Sequence, residues 1–158
     1  MRELILLRHA HAEPQAGSQS DTERPLSQVG RDEAQAAARW LKEQGLVPDR
    51  VLVSPSVRTR ETAQAVLDAL DLPAPREEAG IYDASPGDLM ALADQHRDAT
   101  RLLMVGHNPG FEQLAALMHS GQSGDYRGMP PGGIAVLRLP KDAAIEPGVA
   151  SLAAFWWP

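Results

Sequence analysis

Three short apolar segments of the sequence each end close to a residue that can bind an anion. Leu4-Ile5-Leu6-Leu7 is followed at once by Arg8 and His9, and the other two segments lead to Arg58 and to His107. An arginine offers a planar set of hydrogen-bond donors that suits phosphate, and a neutral histidine has a lone pair that can act as base, metal ligand or nucleophile. A single Arg-His pair is most often an ordinary surface feature, but its repetition after three segments favours a shared anion site and phosphate chemistry.

The apolar segments have the length and aliphatic composition of buried β-strands. They cover residues 4–7, 51–53 and 102–105, and continuous aliphatic runs are typical of parallel strands covered on both faces. Open α/β sheets bind their ligands beyond the carboxyl ends of the strands. We therefore expect the side chains that follow these strands to meet at one edge of a sheet.

Amphipathic segments at helical spacing separate the predicted strands. Ser27, Ser56 and Ser85 stand where helix N-caps are expected, and Asn108-Pro109 precedes a fourth helical pattern. Alternating strands and helices indicate a three-layer α/β/α sandwich with a mostly parallel central sheet. Residues 134–139 and 149–157 are predicted as two final strands with no helix between them, so at least one antiparallel pair is expected there.

Several polar residues are predicted to lie at helix starts beside the site. Arg58 falls in the first turn of its helix, where the helix dipole favours acids, and such local conflicts are commoner at functional sites. His107 and Asn108 precede a helix whose free backbone N–H groups are typical anion donors. Arg24 lies just before the helix that Ser27 begins, from where it either reaches the site or stays in solvent.

Composition narrows the class of protein. The 158 residues fit a single domain covering 1–158, and the absence of cysteine excludes disulfides and thiolate chemistry. A formal charge of −6 argues against nucleic-acid binding, so a phosphate site must depend on a local cluster such as Arg8, Arg24 and Arg58. No run approaches the ~20 apolar residues that span a bilayer, and no signal peptide is evident, so we expect no membrane association and a cytoplasmic location.

The motifs resemble those of the histidine phosphatase superfamily, which has the phosphoglycerate mutase-like fold. Leu7-Arg8-His9-Ala10 is similar to the RHG signature, residues 54–63 (SPSVRTRETA) to the second motif, and Gly106-His107-Asn108-Pro109 to the third. Their order and spacing agree over nearly the whole chain. Within the superfamily, residues 24–30 (RPLSQVG) and 129–135 (MPPGGIA) most resemble the SixA-type phosphohistidine phosphatases.

This resemblance implies a metal-independent phosphatase without cofactors. His9 would be the nucleophile and would carry the phosphoryl group as a covalent phosphohistidine that water then hydrolyses. Arg8, Arg58 and His107 would bind the phosphoryl oxygens, with Arg24 and Asn108 as further substrate-binding residues. The implied partner is a phosphorylated protein, dephosphorylated at phosphohistidine. Preorganised donors of this kind stabilise the charge that phosphoryl transfer spreads over the oxygens.

Two features depart from the superfamily pattern. Ala10 stands where the signature has glycine. The acid that protonates an alcohol leaving group has no secure counterpart; Asp83 is the candidate general acid, Glu78 lies in the same region, and either is equally a solvated loop residue. Phosphohistidine would dispense with a strong acid, because its imidazole leaving group can already carry a proton.

Other functions remain open at this stage. They are a small-molecule phosphomonoesterase of the same superfamily, a mutase, and a non-catalytic phosphate-binding module, for which His9 would be unnecessary. His9 and His11 would also point the same way on an extended segment and so could form a metal pair. Otherwise His11 is expected at the site rim.

One loop, two further histidines and the C-terminal segment have expected structural roles. The loop 120–133 is expected to be functional or mobile, His96 to be an ordinary helix-face residue, and His119 to bind helix carbonyls. The aromatic C-terminal segment is predicted as a buried or edge strand, with an oligomer contact as the weaker alternative.

Overall fold

The computed structural model describes residues 1–158 and contains one six-stranded sheet, four α-helices and three short 3₁₀ turns. The strands are β1 (Glu3–Arg8), β2 (Arg50–Val53), β3 (Arg76–Glu77), β4 (Arg101–Gly106), β5 (Ile134–Arg138) and β6 (Ser151–Trp156). The helices are α1 (Gln28–Glu43), α2 (Val57–Leu70), α3 (Pro86–Gln95) and α4 (Gly110–Ser120), and the 3₁₀ turns are Asp21–Glu23, Ala79–Ile81 and Ser123–Asp125. None of the helices combines the length and hydrophobicity needed to cross a membrane.

Successive side chains of β1 enter two different apolar clusters. Leu4 and Leu6 pack with residues of α3 and α4 on one face of the sheet, whereas Ile5 and Leu7 pack with α1 and α2 on the other. All four are fully buried, as expected for a strand covered on both faces. The predicted three-layer α/β/α arrangement is confirmed.

The sheet has the order β3-β2-β4-β1-β5-β6 and mixes both kinds of pairing. The pairs β2–β3, β2–β4 and β1–β4 are parallel, while β5 runs antiparallel to both β1 and β6. The expected antiparallel end of a mostly parallel sheet is therefore confirmed. The aromatic C-terminal segment forms the edge strand β6. There the Trp156 ring stacks on Trp40 of α1, with the ring centroids 5.5 Å apart.

Strand β3 is missing from the sequence prediction. It is only two residues long, and both Arg76 and Glu77 are exposed. A strand with no buried side chain carries no apolar signal, so the sequence did not indicate it.

The three predicted serine caps are confirmed. Each serine hydroxyl accepts a hydrogen bond from the backbone N–H three residues on, the donors being Gly30, Thr59 and Asp88. In the fourth helix, Asn108 Oδ1 accepts from the Glu112 N–H at 3.2 Å. At the other end of α4, His119 Nδ1 lies 2.7 Å from the Ala115 carbonyl, as expected for a residue that binds helix carbonyls.

His96 is not the ordinary helix-face residue that its sequence context predicts. It follows the last residue of α3 and is only 9% exposed. Its Nδ1 lies 3.2 Å from Arg50 Nη1, and its Nε2 lies 4.0 Å from Glu78 Oε1. These polar partners on β2 and beyond β3 allow the ring to be buried.

Gly30 lets α1 approach the segment that follows β1. A Cβ atom on Gly30 would lie 1.9 Å from the His11 carbonyl oxygen, so no side chain fits there without moving the backbone. The Ser27 N–H donates to the same carbonyl at 3.0 Å. The start of α1 thus contacts the backbone of His11 directly.

Strands β1, β2 and β4 end at one edge of the sheet. Arg8 is paired with Gly106, and Val53 with Val105. Beyond these pairs, the His9 N–H donates to the Gly106 carbonyl at 3.0 Å and the Ser54 N–H to the Val105 carbonyl at 3.1 Å. The register therefore places His9, Ser54 and His107 side by side.

Candidate active site

His9 is held at the carboxyl end of β1 with a defined ring orientation. Its Nδ1 lies 2.7 Å from the Ala10 carbonyl oxygen. A carbonyl can only accept, so this contact assigns the ring proton to Nδ1 and leaves the lone pair on Nε2. His9 Nε2 is consequently available as a base or nucleophile.

The surroundings of His9 keep its ring neutral. Burial is the main cause that lowers its pKa to about 4, and the charges of Arg58, Arg8 and Arg24 lower it further against the opposing hydrogen bond to Ala10. At neutral pH the imidazole is therefore unprotonated at Nε2. The three arginines predicted as a local cation cluster all act on this ring.

His107 lies beside His9, with their ring centroids 5.4 Å apart. Its Nε2 is 2.8 Å from Ser54 Oγ, and its Nδ1 is 3.4 Å from Arg58 Nη2. Burial is again the first cause that lowers its pKa, here to about 3, and His9 and Arg58 lower it further. His107 is thus neutral at neutral pH.

These two lowered pKa values predict a loss of stability in mild acid. A histidine of the unfolded chain has a pKa near 6.5. In the folded protein the pKa is about 4 for His9 and about 3 for His107, so between these values and pH 6.5 the unfolded chain binds more protons than the folded one. Stability should therefore fall as the pH drops from 6.5 to 5, by up to about 1.4 kcal/mol per pH unit for each histidine. Urea unfolding at several pH values measures this slope.

The variant His107→Gln isolates one contribution to that slope. Because glutamine does not titrate, the variant should lose less stability than the wild type between pH 6.5 and 5. The burial of His96 also lowers its pKa, but His96 is present in both proteins and cancels in the comparison. An equal slope in the two proteins would contradict the assignment.

Arg8 and Arg58 are each held by hydrogen bonds from their terminal nitrogens, while their Nε–H groups have no partner. Arg8 Nη1 donates to the Met129 carbonyl at 2.8 Å, and Arg58 Nη1 donates to the Asp21 carbonyl at 2.8 Å. The Nε–H groups of both arginines are buried without a hydrogen-bond partner. Unpaired buried donors are costly in free energy.

Arg24 reaches the same cluster from the loop before α1. Its Nε donates to the Glu13 carbonyl at 2.8 Å, and its Nη1 donates to Asp21 Oδ1 at 3.1 Å. Of the two interpretations open from sequence, the structure therefore favours the arginine directed to the site over the solvated one.

Asn108 has no amide hydrogen left for a substrate. Its Nδ2 donates to Glu112 Oε2 at 3.1 Å and to the Met129 carbonyl at 2.9 Å. The Met129 carbonyl therefore anchors both Asn108 and Arg8. This contact gives the loop 120–133 a role in the site, and it makes Asn108 a link between α4 and that loop. Substrate binding by Asn108 remains a prediction without geometric support.

The structure adds residues that the sequence motifs did not single out. Ser54 binds His107, while Asp21 and Tyr82 meet beside Arg58. Thr62 Oγ1 accepts from the Ala10 N–H at 3.1 Å and donates to the Arg58 carbonyl at 2.8 Å. Ser54 and Thr62 lie within the second motif, residues 54–63, but no sequence pattern marked Asp21 or Tyr82.

Ala10 fits where the superfamily signature has glycine. Its backbone is not in the left-handed region, and its methyl group is fully buried in the cluster beneath α1 and α2. Glycine is therefore not required at this residue.

The candidate acids make no hydrogen bond or ion pair with the histidine pair. Asp83 is exposed and forms no hydrogen bond or ion pair with His9 or His107, and Glu78 instead faces His96. A general-acid role for Asp83 remains a prediction.

His11 is exposed, and its Nδ1 lies 2.7 Å from Ser27 Oγ. The predicted rim location agrees with this exposure. No group of three or more histidine, aspartate and glutamate side chains is arranged to hold a metal ion, so the alternative of a His9–His11 metal pair finds no third ligand.

The comparisons with known proteins agree with this fold and site. Residues 4–105 match the sequence profile of the Histidine phosphatase superfamily (branch 1), and the chain belongs to that superfamily. Its architecture is the phosphoglycerate mutase-like α/β fold.

Three relatives illustrate the similarity. The chain is 32% identical over 130 residues to the phosphohistidine phosphatase SixA of Escherichia coli K12, covering 77% of this chain and 76% of that protein. It is also 32% identical over 128 residues to an uncharacterized chloroplastic protein of Arabidopsis thaliana, covering 74% of this chain but only 59% of the relative. The structure of the protein histidine phosphatase SixA complexed with tungstate superposes with a TM-score of 0.83 at 27% identity, covering 98% of this chain and 96% of the other.

Proposed function

We propose that the protein is a metal-independent phosphatase that removes the phosphoryl group from phosphohistidine in a protein through a covalent intermediate on His9. One observation carries the proposal: a neutral His9 stands among guanidinium groups, and the buried Nε–H groups of Arg8 and Arg58 lack any acceptor. Membership in the superfamily and similarity to SixA support it. The tungstate complex of the SixA relative, an oxyanion complex, points the same way.

In the first step His9 Nε2 attacks the phosphorus atom of the substrate. The Nε2–P bond forms while the substrate P–N bond breaks, and the bonding electrons leave with the substrate imidazole. That imidazole departs as a neutral ring when its other nitrogen is already protonated. Water then attacks the phosphorus of phospho-His9, and the Nε2–P bond breaks with its electrons returning to the ring. Phosphate leaves with the proton that the water loses, and His9 is again neutral.

The arginines supply the countercharge that this transfer needs. Arg8 and Arg58 would donate to the equatorial oxygens, whose negative charge grows in the transition state. A bound phosphoryl dianion also favours the protonated form of His107, because an opposite charge nearby stabilises the imidazolium. His107 Nδ1 then becomes an additional donor.

The acidic side chains near the site favour a nitrogen leaving group over an alcohol. Asp21 is bound to two arginines and a tyrosine, and Asp83 is exposed without a contact to either histidine. An alcohol leaves readily only when an acid protonates it, and such general-acid catalysis typically raises the reaction rate 10²–10⁴-fold. Phosphohistidine does not depend on such an acid.

A comparison of substrates tests the proposal. We expect kcat/KM for a phosphohistidine-bearing protein to exceed that for an alkyl phosphate, such as phosphoserine, by about 100-fold or more. Activity should persist after treatment with a strong chelator. Equal turnover of the alkyl phosphate would favour a small-molecule phosphomonoesterase, and a loss on chelation that added metal restores would overturn the metal-independent mechanism.

A further inference from the structure

Asp21 accepts hydrogen bonds from three side chains of the candidate site. Its Oδ2 accepts from Arg58 Nη2 at 3.0 Å and from the Tyr82 hydroxyl at 2.5 Å, and its Oδ1 accepts from Arg24 Nη1 at 3.1 Å. The donors come from α2, from the segment before α3 and from the loop before α1. A single carboxylate therefore joins three separate parts of the chain.

Asp21 determines which part of the Arg58 guanidinium is free. Its backbone carbonyl accepts from Nη1 and its carboxylate from Nη2, so one residue binds both terminal nitrogens. Besides the second hydrogen of Nη1, the donors that remain are Nε–H, which is buried and unpaired, and the second hydrogen of Nη2, which lies towards His107. The free edge of the guanidinium thus faces the side of the site that holds the histidines.

Asp21 is unsuited to act as the missing general acid. The hydrogen bond from Tyr82 is the main cause that holds its pKa well below the usual range, and the hydrogen bonds from Arg24 and Arg58 lower it further. The carboxyl group is therefore ionised at neutral pH and has no proton to donate. The ionised carboxylate can only accept hydrogen bonds.

We propose that Asp21 is a positioning residue, whose carboxylate fixes Arg58 and Arg24 so that the free edge of Arg58 meets the phosphoryl oxygens. The proposal rests on the proposed function, because that function makes Arg58 an oxyanion ligand. Arginine has a long side chain with many rotamers, and donors must be held within about 0.5 Å to stabilise a transition state well. Asp21 and its carbonyl provide that restraint.

Removing the Asp21 charge should separate binding from catalysis. Without the carboxylate, the site gains positive charge and attracts an anion at least as strongly as before. The orientation of Arg58 is lost at the same time, which weakens stabilisation of the transition state. A residue that merely maintains the fold would instead reduce binding and turnover together.

The test uses Asp21→Asn and Asp21→Ala in the full chain, with Asp32→Asn as a control that removes one exposed carboxylate from α1. For both Asp21 variants we expect kcat on p-nitrophenyl phosphate to fall at least about tenfold, while the dissociation constant of sodium tungstate, measured by calorimetry, is unchanged or lower. Tyr82→Phe keeps the carboxylate and loses one donor, so it should give a smaller fall in kcat. Asp32→Asn should match the wild type.

An NMR measurement reports on orientation without relying on activity. The ¹⁵Nε–H resonance of Arg58 should be sharp in the wild type and broadened in Asp21→Asn, because the side chain becomes mobile. Retention of kcat within twofold in both Asp21 variants, or weaker tungstate binding in parallel with kcat, would overturn the positioning role. An inactive wild type would instead count against the proposed function, and the Arg58 resonance would still show whether Asp21 holds the guanidinium.

Discussion

Replacing His9 with alanine is expected to abolish turnover and the covalent intermediate together. The proposed function makes the free Nε2 of the neutral His9 ring the nucleophile. The neighbouring His107 has its Nε2 beside Ser54 and its Nδ1 beside Arg58, so we do not expect it to replace His9 in the first step. We expect kcat to fall by about 10⁴-fold or more, the loss typical of removing an activated nucleophile. Rapid-quench labelling with a ³²P-labelled phosphohistidine protein should give an acid-labile, base-stable label on the wild type and none on His9→Ala.

The matched control for His9→Ala is His119→Ala. His119 lies in the last turn of α4 and contacts the Ala115 carbonyl, away from the site, so its replacement should leave both label and turnover intact. Circular dichroism should show that each variant is folded. Label that persists in His9→Ala would place the phosphoryl group on another residue, whereas a wild type that binds phosphate but takes no label would indicate a non-catalytic phosphate-binding module.

Replacing Arg58 is expected to have the second largest effect. Its side chain is only 7% exposed, and its charge lies beside both site histidines. Arg58→Ala removes a donor that the proposed function directs to the phosphoryl oxygens, for which a loss of about 10³-fold in kcat/KM is expected. Arg58→Lys should recover only part of this activity, because a single ammonium group cannot bind Asp21 and a phosphoryl oxygen as the planar guanidinium does.

Arg60→Ala is the control in the same helix. The Arg60 side chain is 50% exposed, and its nearest acidic partner, Glu77, lies 3.9 Å away, so activity should change by less than about twofold. In Arg58→Ala the pKa of His9 should also rise, since one of the charges that lower it is gone. An NMR titration of the His9 ring measures this shift. Full activity of Arg58→Lys would contradict the role of the guanidinium as an oriented pair of donors.

The local chemistry of the sequence was sufficient to predict most of the fold. Aliphatic runs identified β1, β2 and β4, and serine residues at helix starts identified three N-caps, because both signals depend on neighbours within a few residues. Parallel strands with covered faces bring their carboxyl ends to one edge, which is why Arg8, His9, Arg58 and His107 could be expected in one place. The two exposed residues of β3 carried no such signal, and His96 was predicted to be an ordinary helix-face residue because its partners Arg50 and Glu78 are distant in sequence.

Only the tertiary structure determined the hydrogen-bond partners of the site residues and the protonation state of the histidines. The Arg58 and Tyr82 contacts to Asp21 join residues 37 and 61 apart, and the Arg8 contact to Met129 joins residues 121 apart. The depth of burial that keeps His9 neutral is likewise a property of the packed molecule. Short-range patterns determine strands, helices and caps, whereas hydrogen-bond partners and pKa values depend on groups that meet only when the sheet and its loops have assembled.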